Sequence, residues 1–316
     1  MTALVSILIP VYNRAHLIRE TVSSALAQRY PNFEVVVVDN ASSDTTWEVL
    51  QDLATGDSRL RIHRNASNIG PVRNWRACVD QARGEYAKIL WSDDLIHEDY
   101  LSETLALLED AEVGFVYTSA TNFSGTDHLS GRLDYVYGPT GKYPAGDYVR
   151  DALLGGNVPV SPGCAIFRTS DLKRNLMCEV PNSIGSDFSQ HAIGNDVLIF
   201  LLTATSYSKF GFVDKTLSYF RDHAGSISIS SPQAKLVAMY NVAKAYFVSL
   251  NKISPELARR FNVRLWLDSR RYDCSAFGIH SISDFYPDKR KAPLDLAYLV
   301  SRGRHSLMRR LLSKSM

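Results

Sequence analysis

Residues 33–42 read Phe-Glu-Val-Val-Val-Val-Asp-Asn-Ala-Ser. Four consecutive valines leave no polar face. The run therefore reads as a strand buried on both sides, as in a parallel sheet covered by helices. It then breaks at once into Asp39, Asn40 and Ser42. Short apolar runs of the same kind flank it at 5–10 (VSILIP), 60–65 (LRIHRN) and 85–91 (EYAKILW). Helical stripes separate them. Leu17, Ile18, Val22, Ala25 and Leu26 form one. Trp47, Leu50, Leu53 and Ala54 form a second, opened by Thr45-x-x-Glu48 as a capping box. Val72, Trp75, Val79 and Ala82 form a third, with Pro71 at N1 and Gly84 at C′. This alternation predicts an α/β fold, with a Rossmann-like, mostly parallel sheet and right-handed crossovers within residues 1–120.

The later chain is less regular. Residues 164–168 (CAIFR) read as a strand returning to the sheet, 189–206 as a helix, and 207–223 as a closing strand pair. Residues 232–316 are helical in pattern, most clearly over 234–250. The expected organisation is a first half over 1–120, a second half of the same domain over 121–231, and a C-terminal helical extension over 232–316.

The chain has 316 residues, 45% hydrophobic and 22% charged, with a net charge of +2. That balance is too even to call for a nucleic-acid partner, and none is expected. Cys78, Cys164, Cys178 and Cys274 form no C-x-x-C pair, which points to reduced thiols. The N-terminus has no basic leader, Pro10 interrupts its apolar run, and no run is long enough to span a membrane. A cytoplasmic protein is expected. The last residues carry Arg302, Arg304, Arg309, Arg310 and Lys314 without an acid, interleaved with leucines. Such a segment suits an anionic membrane surface, here the inner leaflet, or simply packs as a solvated terminal helix.

In open parallel sheets ligands bind at the carboxyl ends of strands. Those ends carry Tyr12, Asn13 and Arg14; Asp39 and Ser42; Asn65, leading to Asn68; and Ser92-Asp93-Asp94. Each alone would serve as a cap or turn residue, but together they would share one rim. Two adjacent acids repel unless a cation answers them. Mg²⁺ or Mn²⁺ with phosphate oxygens suits such a pair, provided the chain turns so that both can face it. Neither a phosphate-binding G-x-x-x-x-G-K-[ST] nor a G-x-G-x-x-G after the first strand is present, which argues against an ATPase and a nicotinamide dehydrogenase.

Taken in order, VSILIPVYNR (5–14), FEVVVVDNASSD (33–44), NIGPVRNWRACVDQARGEYAKILWSDD (68–94), GND (194–196) and LSYFRDHAGSIS (217–228) resemble the family 2 glycosyltransferases with the GT-A fold. The resemblance implies an inverting, metal-dependent transferase. It would move a sugar from a nucleoside-diphosphate donor to a glycan or lipid-linked acceptor, of the kind used in bacterial O-antigen or capsule synthesis. It also implies roles for matching positions. Pro10, Tyr12 and Asn13 would hold the nucleotide, with Tyr12 on the base. Asp39 would bind the base and ribose side, and Arg73 would lie near the base and diphosphate. Asp93 and Asp94 match the end of the metal motif, Asp93 also facing the donor. Arg221 and His223 match a segment near the diphosphate, with His223 as a further metal ligand. Asp196 would be the general base. UDP or dTDP is favoured over GDP.

Two positions depart from the family pattern: Trp91 replaces the first acid of the metal motif, and Asn195 replaces a glutamate. Trp91 reads equally as a core aromatic at a strand end. The tyrosine-rich stretch over 132–149 reads as an acceptor platform or as loop packing. The competing readings are an inactive GT-A module that binds nucleotide or glycan, and a sugar nucleotidyltransferase. The latter needs a glycine-rich basic first loop that 10–14 (PVYNR) lacks.

Overall fold

The computed structural model describes residues 2–302. The chain divides into two compact units. The first comprises the chain up to Val180 together with Asp187–Ser230; the second comprises Pro181–Ser186 and the chain from Ser231 onward.

The first unit is built on a mixed sheet. Its elements run β1 (Val5–Val11), α1 (Ile18–Leu26), β2 (Phe33–Asp39), α2 (Thr46–Gly56), β3 (Leu60–Arg64), α3 (Pro71–Asp80), β4 (Tyr86–Ile89), β5 (Leu95–Ile96) and α4 (Tyr100–Leu108). They continue with β6 (Val113–Phe123), β7 (Arg132–Asp134), β8 (Gly141–Pro144), α5 (Ala145–Leu154), β9 (Ala165–Arg168), α6 (Thr169–Asn175), α7 (Phe188–His191), α8 (Asn195–Ala204), β10 (Lys209–Arg221) and α9 (Ile227–Ser230). The strand order is β3-β2-β1-β4-β9-β6-β10-β5, with β7 on β6 and β8 on β10. Strands β1 to β4 are mutually parallel, and β9 is antiparallel to both its neighbours. The expected α/β architecture is present. Every residue of β1 and β2 is buried, as a strand covered on both faces requires.

Four sequence expectations change. Residues 207–223 form one long strand, not a pair: β10 stays parallel to β6 by shifting register between Val213 and Ser218, so the bend is absorbed by bulges. The helix expected over 189–206 is broken by Ala192 (φ 57°) and Gly194 (φ 105°), so α8 starts afresh at Asn195. Gly84 does not end α3, which stops at Asp80. Instead, a Cβ there would meet the Leu4 carbonyl and Ser6 nitrogen at 2.7 Å, a close backbone approach that only glycine tolerates. At α2, Thr45 makes no side-chain cap; Asp44 accepts the Thr46 N–H at 3.0 Å, and its carboxylate also bonds the Thr46 hydroxyl.

The second unit is helical, with α10 (Gln233–Ser249) and α11 (Pro255–Arg271). The Ser254 hydroxyl caps α11 at the Leu257 N–H. Buried polar bonds fix the interior: Asn241 donates to Asp268 (3.1 Å) and Tyr286 to Asn262 (2.6 Å). Between 272 and 294 the chain forms short 3-10 turns where a helix was expected. Residues 296–302 are helical and leave Leu296 and Val300 exposed. The tail cations Arg304, Arg309, Arg310 and Lys314 lie outside the described residues. Among the described residues no helix is long and apolar enough to cross a membrane.

Candidate active site at the carboxyl ends of the strands

Beyond β1 the chain turns at Asn13 (φ 52°), a left-handed position that asparagine accepts more readily than most residues. The turn locks onto the loop after β2. Asn13 N donates to Ser42 Oγ (2.9 Å), and Asn13 Oδ1 accepts from Ser43 N (2.8 Å). Ser42 in turn donates its hydroxyl and its N–H (3.1 Å) to Asp39, which also faces Arg64 Nε at 3.1 Å. Asp39 has no exposed surface, and these bonds answer its charge. Pro10 is buried in β1 opposite Val38, whereas Tyr12 stands 42% exposed on the rim.

An asparagine network stiffens the neighbouring strand ends. Asn65 donates to Asn40 (3.0 Å) and Asn74 (2.9 Å), and Asn40 to Asn68 (2.9 Å). Asn74 closes on the Val38 carbonyl at 3.1 Å. The expected rim of polar strand ends is therefore present, tied together by its own hydrogen bonds.

The acid pair splits. Asp93 faces the rim: its Oδ2 lies 2.7 Å from His223 Nε2 and 3.8 Å from Arg14 Nε. Arg14 Nε is buried without a hydrogen-bond acceptor. Asp94 turns inward and accepts the backbone N–H of Arg221 at 2.9 Å. Burial and then the Asp93 charge push the Asp94 carboxyl well above its usual range; the Arg221 N–H and the Lys88 charge oppose them. Lys88, wholly buried on β4, donates to the Ile89 carbonyl (3.2 Å) and to the Gly163 carbonyl. Burial lowers its pKa to about 7, against the pull of Cys164 and Asp94.

The three expected metal ligands are thus not assembled as one set. Among the described residues no group of three or more His, Cys, Asp or Glu is arranged to hold a metal. Asp93 and His223 do stand together, and one or two protein ligands completed by phosphate oxygens are enough for Mg²⁺. Asp94 is directed elsewhere because successive side chains leave a turning chain in different directions.

Arg221 is committed to structure. Its Nε donates to the Asp93 carbonyl (3.1 Å), one terminal nitrogen to the Gly125 carbonyl (2.8 Å) and the other to Glu20 (2.6 Å). The guanidinium also lies 4.6 Å from the centre of the Phe123 ring. It holds the loop that carries His223 against the acid pair. Arg73 lies apart from this cluster, paired at 3.3 Å with the exposed Glu179.

Asp196 occupies the first turn of α8 and is nearly buried. Its Oδ1 accepts the N–H groups of Gly194 (3.1 Å) and Val197 (2.8 Å). The carboxylate thus caps the first turn of the helix. Asn195 beside it is buried and donates to the Met177 carbonyl at 2.9 Å. Trp91 packs 4.7 Å from Trp75 and donates its Nε1 to Ser161 Oγ at 2.8 Å, so it is locked in place as an aromatic at the strand end.

Three residues outside the expected set belong to this centre. Arg14 was named among the polar strand ends but given no role. Glu20 gave no signal, because an acid in the first turn of a helix is ordinary. Lys88 did leave one: a cation inside an otherwise apolar strand.

The sequence model of glycosyl transferase family 2 matches residues 6–176. An uncharacterized glycosyltransferase of Rickettsia felis is 28% identical over 79% of this chain, and the match spans 38% of that protein's length. The UDP-Glc:alpha-D-GlcNAc-diphosphoundecaprenol beta-1,3-glucosyltransferase WfaP of Escherichia coli is 32% identical over 44% of this chain and 56% of its own. Among solved structures, Staphylococcus aureus TarS 1–349 in complex with UDP-GlcNAc superposes with a TM-score of 0.66, at 19% identity over 90% of this chain and 80% of that one. The mannosyltransferase PcManGT of Pyrobaculum calidifontis, in complex with GDP-Man and Mn²⁺, gives a TM-score of 0.50 at 16% identity, covering all of this chain and 81% of its own. The shared fold is GT-A.

Proposed function

The chain belongs to glycosyl transferase family 2, and from that premise we propose that it moves a sugar from a nucleoside-diphosphate donor to a hydroxyl of a glycan or lipid-linked glycan, inverting the anomeric centre. The observation that carries the reading is the Asp93–His223 pair, set on a rim of strand ends that is braced back to Asp39 through Asn13 and Ser42. A part-buried carboxylate there has purpose if a cation and a diphosphate meet it.

Asp93 and His223 would hold Mn²⁺ or Mg²⁺, and the bound cation would offset the charge that grows on the leaving diphosphate. Asp94 supports them from within. Tyr12, exposed on the rim, would stack on the base, with Pro10, Asn13 and Asp39 shaping the nucleoside side. Arg14 presents a cation on the diphosphate side. Asp196 would take the proton of the acceptor hydroxyl, attacking from the face opposite the leaving group; that geometry gives inversion. Residues 1–120 would form the donor half, 121–231 the acceptor half and 232–316 an extension.

The donor class draws support from UDP-GlcNAc in the TarS complex and from GDP-Man with Mn²⁺ in PcManGT. A lipid-linked acceptor draws support from WfaP, whose name specifies a diphosphoundecaprenol-linked sugar. UDP or dTDP is proposed ahead of GDP, in a cytoplasmic enzyme of surface-polysaccharide synthesis. The exposed Leu296 and Val300 beside Arg302 would let the extension touch the inner leaflet.

A panel of UDP-, dTDP- and GDP-sugars, incubated with Mn²⁺, tests the reading through release of nucleoside diphosphate. Metal-dependent release from one donor is expected. Binding of donors without release, with and without a panel of glycan acceptors, would make the chain a binding module instead.

A further inference from the structure

Lys88 lies in the middle of β4, paired to β1 on one side and β9 on the other, and none of it reaches solvent. A buried ammonium is among the costliest groups in a core unless charge and hydrogen bonds answer it. Packing alone would be served better by leucine or methionine. What Lys88 touches suggests why a cation is there.

Its Nζ donates to the Gly163 carbonyl and lies 4.7 Å from the Tyr100 ring centre. Gly163 belongs to the turn Pro162–Cys164. That turn seats Trp91: a Cβ on Gly163 would come within 3.0 Å of the Trp91 ring and 2.9 Å of Phe220, and Ser161 Oγ takes the Trp91 Nε1–H. The Trp91 carbonyl in turn accepts the Asp94 N–H at 3.1 Å. From its other end, Asp94 takes the Arg221 N–H, and Arg221 Nε holds the Asp93 carbonyl at 3.1 Å. A route of contacts therefore leads from the buried Lys88 Nζ towards Asp93, through Gly163, Trp91 and the Asp94 backbone.

We propose that Lys88 is a positioning residue for the donor–metal centre: the buried cation beneath the Ser92–Asp94 loop that fixes where the loop presents Asp93. This rests on the reading of Asp93 and His223 as the donor–metal site. It also reassigns Asp94 as the acceptor of the Arg221 N–H rather than as a third ligand.

The test uses the full chain. Mn²⁺ binding is followed by the electron paramagnetic resonance of the free ion, and UDP and GDP binding with Mn²⁺ by calorimetry. Lys88→Met is expected to weaken both roughly 10–100-fold, the usual range for loss of a group that orients a metal ligand. Lys88→Gln keeps a side-chain donor for the Gly163 carbonyl and should retain more binding than Lys88→Met. A purely packing role predicts no difference between the two, and that result, or unchanged binding in Lys88→Met, overturns the proposal. If Lys88→Met does not fold, Gly163→Ala displaces the same turn without touching a charge. It should weaken binding in the same direction, and unchanged affinity there counts equally against the proposal. A wild-type chain that binds neither Mn²⁺ nor either nucleotide would sink the donor-site reading. The near-ultraviolet circular dichroism of the Trp75–Trp91 pair then judges Lys88 by itself: a change in Lys88→Met supports the tether, and an unchanged spectrum refutes it.

Discussion

His223 Nε2 and Asp93 Oδ2 stand 2.7 Å apart although 130 residues separate them in the chain. The other ring nitrogen, Nδ1, accepts the Gly225 N–H at 3.1 Å, so in the neutral ring the proton sits on Nε2 and points at Asp93. The backbone of Gly225 is pressed against the imidazole: a Cβ there would come within 3.1 Å of it. The pair is therefore held in register by its own loop.

A cation bound at Nε2 needs the ring proton on Nδ1, so the bond from the Gly225 N–H must open. Mn²⁺-dependent nucleotide binding to the wild-type chain, read by calorimetry, sets the reference. Asp93→Ala should abolish Mn²⁺-dependent nucleotide binding. His223→Ala should weaken it about 10–100-fold. Unchanged Mn²⁺-dependent binding in His223→Ala would take His223 out of the metal site.

Asp196→Asn keeps an acceptor for the Gly194 and Val197 N–H groups while removing the basic oxygen. Turnover should fall at least about 100-fold, with donor affinity nearly unchanged. The comparison needs single-turnover kinetics alongside calorimetric donor binding. Normal turnover in this variant would leave Asp196 as a helix-capping residue.

Glu34 supplies a stability signal away from the chemistry. Burial raises its pKa, but bonds from Ser6 (2.7 Å), the Arg83 N–H (2.9 Å) and Arg61 (2.7 Å) outweigh it and leave the carboxyl below its ordinary value. The sign follows: the ionised group stabilises the fold above its unfolded pKa, and that stability is lost as pH falls through the lower folded value. Glu34→Gln should cost about 1–3 kcal/mol at neutral pH, and the gap to wild type should narrow in acid below about pH 4. Urea unfolding at neutral pH and at low pH measures both; a gap of the same size at each would refute the assignment.

The first four strands and three helices were legible because burial on both faces and a 3.6-residue stripe are local patterns. The break inside 189–206 was not, since it lies in the left-handed backbone of Ala192 and Gly194. Nor was the single strand β10: residues 207–223 read as a strand pair, whereas pairing with β6 carries the chain through with register shifts between Val213 and Ser218. At the site, Asp93 was named as one of two adjacent acids and His223 from the family resemblance, and the fold brings the two together. The use of Arg221 was not, because a guanidinium after a strand gives no sign whether it faces ligand or the Glu20, Gly125 and Asp93 groups it binds.

The sequence by itself determined the sheet-and-helix alternation, the rim on which polar residues collect, and the residue types available there. Those follow from periodicity and from the position of strand ends. Only the tertiary structure decided that the acid pair divides, with Asp93 turned to His223 and Asp94 turned to the Arg221 N–H. The reason is geometric. A turn sends adjacent side chains apart, and what each meets is set by β9, β10 and the loops that pairing brings from far along the chain. Adjacency in sequence shows that two charges must be answered; which partner answers each is a property of the packed fold.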